Sequence, residues 1–226
     1  FRFKDSIFLC SLRDLCGEIF KRRKTVTHTL HREGLGEDFS NDYIILAMVE
    51  GKDEQKLNNL AELFRIILKH KPLNYTGKGN FPDPADEQLP LIYKRIKIGM
   101  AVFENRETLL EVLREIRDKE LGVSVVVSGL FSHIHQDCQK LGLSMHTVNY
   151  SLGVWGKRER LPDPKVTGIT TMCGHGLVSF NLVQSLLKEV RQGKKTLEEA
   201  SEILARPCVC GVFNTHRAIE LLQAMI

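Results

Sequence analysis

Long apolar runs are absent from this sequence of 226 residues, and no segment approaches the roughly 20 apolar residues that span a bilayer. The N-terminal residues also lack the continuous apolar core of a secretory signal. Aromatic residues make up only 7% of the chain, and the formal net charge is a modest +4. Neither basic run, at 21–24 or at 157–160, is interleaved with a row of aromatic side chains, as a nucleic-acid-binding surface would be. We therefore expect a cytoplasmic protein with no membrane span and no nucleic-acid partner.

Cysteine is scarce as well. Six cysteines in a chain of this length do not form the dense, regular framework of a disulfide-stabilised secreted domain, which favours a reducing compartment. With 42% hydrophobic and 27% charged residues, the composition is that of an ordinary globular protein. The length suffices for one large domain or two small ones.

Hydrophobic periodicity divides the chain into three parts. Residues 5–20 carry an apolar helical stripe, which predicts an N-terminal amphipathic helix within 1–24 that docks on the protein's own core rather than on a membrane or a partner. Strands are predicted at 25–31, 43–49, 98–103, 123–127 and 145–150, and helices at 54–70, 106–119 and 131–141. We expect an α/β domain over 25–155, followed at 156–226 by a small α-helical module that contains cysteines.

The predicted strands are short and almost continuously apolar, and they alternate with helices. That pattern is typical of strands buried on both faces in a parallel sheet. The fold class predicted from the sequence is therefore α/β, with a mixed, partly parallel sheet covered by helices.

Small and polar residues follow the predicted strands. In parallel sheets, ligands bind at the carboxyl ends of the strands. Ser128, Gly129, Asn149 and Ser151 are thus candidates for a cleft that binds a small molecule. The alternative is that these residues form ordinary turns.

Two glycine-flanked turns near the C-terminus carry three of the six cysteines. The first turn spans 172–176 with Cys173 and His175, and the second spans 207–211 with Cys208 and Cys210. Between them, an apolar stripe predicts a helix that starts just after His175, and Thr196 followed by Glu199 predicts a capping box for a second, shorter helix. Such a hairpin can fold back on itself and bring the two turns together.

The donors of these turns suit a soft metal. Cys173, His175, Cys208 and Cys210 can form the Cys3His shell of a zinc ion, or they can hold an iron–sulfur cluster with redox chemistry on a small molecule. The Cys-x-His and Cys-x-Cys spacings are shorter than those of most structural zinc sites. The alternative is a non-catalytic interaction module in which the cysteines only pack.

A third hypothesis gives Cys173 a catalytic role as base or nucleophile. A thiol at a helix N-terminus has a lowered pKa, and the predicted helix start places Cys173 there. The string Met172-Cys173-Gly174-His175-Gly176 resembles the motif around one catalytic cysteine of the proline racemase family, which implies racemase or epimerase chemistry at an amino-acid α-carbon. The second cysteine segment of that family has no counterpart in this sequence.

Overall fold

The computed structural model describes residues 40–78, 88–145, 147–149 and 156–226. The predicted N-terminal helix within 1–24, the predicted strand at 25–31 and Ser151 lie outside these ranges. The strands are β1 (Tyr43–Met48), β2 (Asn74–Tyr75), β3 (Ile98–Phe103) and β4 (Ser124–Ser128). The helices are α1 (Glu54–Lys69), α2 (Leu89–Ile96), α3 (Arg106–Lys119), α4 (Phe131–Lys140), α5 (Pro164–Thr170), α6 (Phe180–Arg191), α7 (Leu197–Ala205) and α8 (Thr215–Gln223), with a short 3-10 helix at Arg158–Arg160.

The four described strands form one sheet in the order β2-β3-β1-β4, and every neighbouring pair is antiparallel. The predicted partly parallel sheet is therefore wrong. Strands β3 and β4 do run in the same direction, as expected for strands joined by a helix, but β1 lies between them and pairs with both. The described residues of the fifth predicted strand, 145 and 147–149, adopt no strand.

The sheet separates two hydrophobic cores. On one face, Tyr43, Ile45 and Ala47 of β1 pack with apolar residues of α1, α3 and α4. On the other face, Ile44 of β1 packs with residues of β3 and of the C-terminal helices. Because helices cover both faces, the central strands are apolar at nearly every position although they are antiparallel. This double burial explains why the sequence pattern resembled that of a parallel sheet.

Residues of α5 to α8 supply most of the second core, so the predicted cysteine module is packed directly on the sheet. Among the helices that the structure describes, none is both long and apolar enough to cross a membrane.

Candidate functional site: three buried cysteines beside the sheet

The two cysteine turns meet, as the predicted hairpin required. Helix α6 is capped by Ser179, and α7 begins with the predicted capping box, in which Thr196 and Glu199 exchange hydrogen bonds. The chain then returns to the start of α6. Cys173 and Cys208 are within hydrogen-bonding contact, and the Sγ atoms of Cys208 and Cys210 are 3.5 Å apart. The predicted proximity of the two turns is confirmed.

All three thiols are shielded from solvent. Cys173 is 2% exposed, Cys208 is 5% exposed and Cys210 is 8% exposed. None of the three forms a disulfide, and Cys208 contacts both Cys173 and Cys210. A group of three thiols at one buried point is a stronger indication of function than three cysteines packed separately, because apolar packing alone does not require the sulfur atoms to converge.

Backbone N–H groups of both turns are directed at the sulfurs. His175 and Leu177 donate to Cys173, and Val212 donates to both Cys208 and Cys210. Donors of this kind stabilise negative charge on sulfur, whether the charge belongs to a free thiolate or to a metal-bound one.

The structure does not place Cys173 at a helix start. Gly176 adopts a φ of +68°, and α6 begins only at Phe180, so the predicted start just after His175 is wrong by four residues. Donation of a hydrogen bond to Cys208, followed by burial, raises the pKa of Cys173. A catalytic thiolate needs the opposite shift. By contrast, the hydrogen bond from Cys208 lowers the pKa of Cys210, which is the most acidic of the three.

The Cys208–Gly211 turn is attached to the edge of the sheet. The hydroxyl of Thr76 donates to the carbonyl oxygen of Cys210 over 2.7 Å and accepts the Met100 N–H over 2.8 Å. Gly211 has a φ of +74°, and a Cβ at this position would lie 2.0 Å from the carbonyl carbon of Tyr75. The turn therefore lies directly against the backbone after β2 and has room only for glycine.

A buried ion pair holds the segment that follows the turn. Arg217 of α8 lies 3.2 Å from a carboxylate oxygen of Asp42, which directly precedes β1, and both side chains are almost fully buried. Asn214 caps α8 through the Arg217 N–H and also donates to Asp42. The second cysteine turn is thus fixed to the sheet from both sides.

The predicted fourth ligand, His175, differs from the three cysteines in its exposure to solvent. The side chain of His175 is exposed, although its backbone N–H reaches Cys173. As the side chains stand, no group of three or more His, Cys, Asp or Glu residues within the described ranges is arranged to hold a metal ion. Binding a metal would require the thiols to reorient within their turns.

A pocket of about 450 Å³ opens beside the first turn, and Cys173 is part of its wall. The rest of the wall comes from the end of α5 and the first turn of α6, including Thr171, Val178, Phe180 and Asn181. Of the three sulfurs, only that of Cys173 belongs to a residue lining this pocket.

The candidate cleft at the strand ends is divided in the structure. Ser128 and Gly129 are buried, and a Cβ on Gly129 would meet the ring of Tyr43 at 2.8 Å. Asn149 lies elsewhere, on the wall of a pocket of about 740 Å³ beside β4 and α3. The residues that follow β1, Glu50 and Gly51, lie at the opposite end of the strands from Ser128, because β1 runs opposite to β3 and β4.

One polar cluster was missed by sequence reasoning. The hydroxyl of Tyr43 lies 2.7 Å from Nδ1 of His133, and Arg106 forms two hydrogen bonds with the buried carboxylate of Asp137, at 2.9 and 2.7 Å. Burial, followed by the charge of Arg106, lowers the pKa of His133. These residues are far apart in sequence, so no local sequence pattern indicates that they are in contact. Arg106 and Asp137 join α3 to α4, which gives the cluster a structural role.

Comparison with protein-family models, with curated proteins and with solved structures finds no match to this chain. The geometry of the three cysteines is therefore the basis for a functional proposal.

Proposed function

We propose that Cys173, Cys208 and Cys210 form a centre that binds a thiophilic metal. The observation that carries this proposal is the convergence of three buried cysteine side chains from two turns that are separated in sequence by residues 177–206. Thiolates are the preferred ligands of zinc and of iron–sulfur clusters.

The backbone around the sulfurs supports the same proposal. The N–H groups of Leu177 and Val212 stand where they would stabilise metal-bound thiolates, as outer-shell donors do in metal sites. Burial among apolar residues of the second core would keep such a centre away from water. Burial and backbone donors also occur around thiols that only pack in a core, but packing alone does not require the three thiols to converge.

The sulfur spacing favours a single ion. Zinc–sulfur bonds of about 2.3 Å in a tetrahedron place neighbouring sulfurs about 3.8 Å apart. The observed 3.5 Å between Cys208 and Cys210 is close to that value, so zinc requires a small rearrangement. An iron–sulfur cluster spreads its thiolates over several iron atoms and would require the turns to separate further.

The test is to purify the protein without oxygen and to measure zinc, iron and sulfide together with the absorption spectrum. We expect about one zinc per chain. A brown protein with iron and sulfide would keep the three-cysteine centre but assign a cluster to it. Protein that contains neither metal, and takes up neither on reconstitution, would refute the proposal.

Single serine substitutions test which thiols take part. Cys173→Ser, Cys208→Ser and Cys210→Ser should each lower the metal content and the melting temperature, because metal-binding free energy is also folding free energy at such sites. Cys138→Ser is the matched control, since this partly buried free cysteine packs against the core on the opposite face of the sheet. Equal metal content in all four variants would contradict the assignment.

A further inference from the structure

The pocket of about 740 Å³ beside β4 contains no residue of the two cysteine turns, so what it binds is independent of the proposed metal centre. Its volume lies within the range of about 300–1,000 Å³ that is usual for ligand pockets. Part of its wall is apolar: Leu113, Val125, Val127, Ile134 and Cys138 belong to the core on the face of the sheet away from the cysteines, or pack against it. An apolar group of a small molecule would be removed from water on this wall.

The outer edge of β4 borders the same pocket. β4 is the last strand in the order β2-β3-β1-β4, and within the part of the chain that the structure describes it pairs only with β1. Residues 123–127 all line the pocket. The N–H and C=O groups on the outer side of an edge strand have no strand partner, so they can form hydrogen bonds with a polar group of a ligand. The pocket therefore combines an apolar wall with polar backbone groups.

The charge at one end of the pocket favours a cation. Helix α3 ends there, with Arg117 and Glu120 in the wall, and the carbonyl end of a helix carries about half an elementary negative charge. Arg117 is already engaged, because its guanidinium lies 2.6 Å from the Asp118 carboxylate and donates to the carbonyl oxygen of Leu141 over 2.9 Å. The exposed carboxylate of Glu120 forms no hydrogen bond or ion pair with another described residue. Since Arg117 and Asp118 offset each other, Glu120 and the helix end make this part of the wall negative.

We propose that this pocket binds a small molecule that has an apolar body and one protonated amine. The apolar body packs on the valines of β4 and on side chains of α3 and α4. The ammonium group, which has only hydrogen-bond donors, donates to the Glu120 carboxylate and to carbonyl oxygens at the end of α3. A carboxylate in the same position would face charge of its own sign. Binding is non-covalent.

Octylamine, octanol and octanoate are matched probes, because each has an eight-carbon chain and they differ in the charge of the head group. Calorimetric titration of each probe into the 226-residue protein at pH 7 compares the three affinities. We expect octylamine to bind most tightly and octanoate most weakly. Any other order, or equal affinities, would overturn the cationic class, and the absence of saturable binding by all three would overturn the site.

Glu120→Gln tests the contact with the head group, because it removes the charge and keeps the size of the side chain. It should weaken octylamine binding by about twofold to fivefold, as expected for one partly solvated ion pair, and leave octanol binding unchanged. Glu107→Gln is the matched control, since this exposed residue lies at the other end of α3 and does not line the pocket. Equal octylamine affinity in the two variants would overturn the role of Glu120.

Ser144→Trp tests the location. Ser144 is exposed and lines the pocket, so a tryptophan there should occupy part of it and weaken all three probes by about tenfold, the equivalent of roughly 1.4 kcal/mol. Ser132→Trp is the control, at an exposed position of α4 that does not line the pocket. If both variants bind the probes equally well, the probes bind elsewhere and the assignment to this pocket is overturned.

Discussion

Alanine at Gly211 should disturb the second cysteine turn far more than alanine at Gly176 disturbs the first. Both glycines adopt left-handed backbone, with φ of +74° and +68°, so both substitutions incur the same conformational penalty of about 1–2 kcal/mol. Their surroundings differ. A Cβ at Gly176 would meet nothing within 4 Å, whereas one at Gly211 would lie 2.0 Å from the carbonyl carbon of Tyr75.

The difference in stability between the two variants measures the contact between the second turn and the sheet. The atoms next to Gly211 belong to the backbone of Tyr75 and Thr76, so no side-chain rotation can relieve the overlap. Overpacking of this kind typically adds about 1–3 kcal/mol, which brings the expected loss for Gly211→Ala to roughly 2–5 kcal/mol. Since a domain is stable by only about 5–15 kcal/mol, Gly211→Ala could leave part of the protein unfolded.

Urea denaturation of the metal-free proteins, followed by circular dichroism, measures both variants against the wild type. Working without metal separates the loss of docking from any loss of metal binding. We expect the midpoint of Gly176→Ala to fall slightly and that of Gly211→Ala to fall by at least twice as much, with unchanged slopes. If the two losses agree within about 0.5 kcal/mol, the contact of the second turn with β2 does not contribute to stability and the reasoning is wrong.

Two further predictions concern charged and titratable side chains beside the sheet. Arg217→Met should lower the free energy of unfolding by about 3 kcal/mol, the lower end of the range for a broken buried ion pair, because Asn214 still donates to Asp42. Adding Asp42→Asn should restore part of this loss. A double variant less stable than Arg217→Met alone would contradict this. His133 has a lowered pKa in the folded protein, so its contribution to stability is complete above about pH 6.5 and is lost as the pH falls through the folded value. Between pH 7 and pH 5, the free energy of unfolding measured by chemical denaturation should therefore fall less for His133→Asn than for the wild type. An equal fall in both proteins would exclude this role of His133.

The helices could be predicted well because their signals are local. The capping box of Thr196 and Glu199 and the bounds of the helix at 106–119 follow from short windows of sequence, and both are confirmed. The predicted start of α6 is too early because its apolar stripe begins before the helix does. Val178 is buried in the second core although it precedes the Ser179 cap.

The sheet could not be predicted in the same way, because strand order is decided by contacts between distant residues. A helix between two strands indicates that they run in the same direction, and β3 and β4 do so. It does not indicate whether a third strand lies between them. Here β1, which precedes both in the chain, occupies that position, and the candidate cleft built on adjacent parallel strands lost its geometric basis.

The proximity of the two cysteine turns was predictable in spite of the wrong sheet, because the helical hairpin alone brings them together. What the sequence could not indicate was the role of the sheet in fixing the second turn. Thr76 binds the carbonyl of Cys210 and Gly211 lies against the backbone after β2, while the first turn has open space around Gly176. The two halves of the site therefore differ in how closely they contact the sheet. Any metal that requires the thiols to move should be accommodated mainly by movement of Cys173, which is also the one of the three cysteines that lines the pocket beside the first turn.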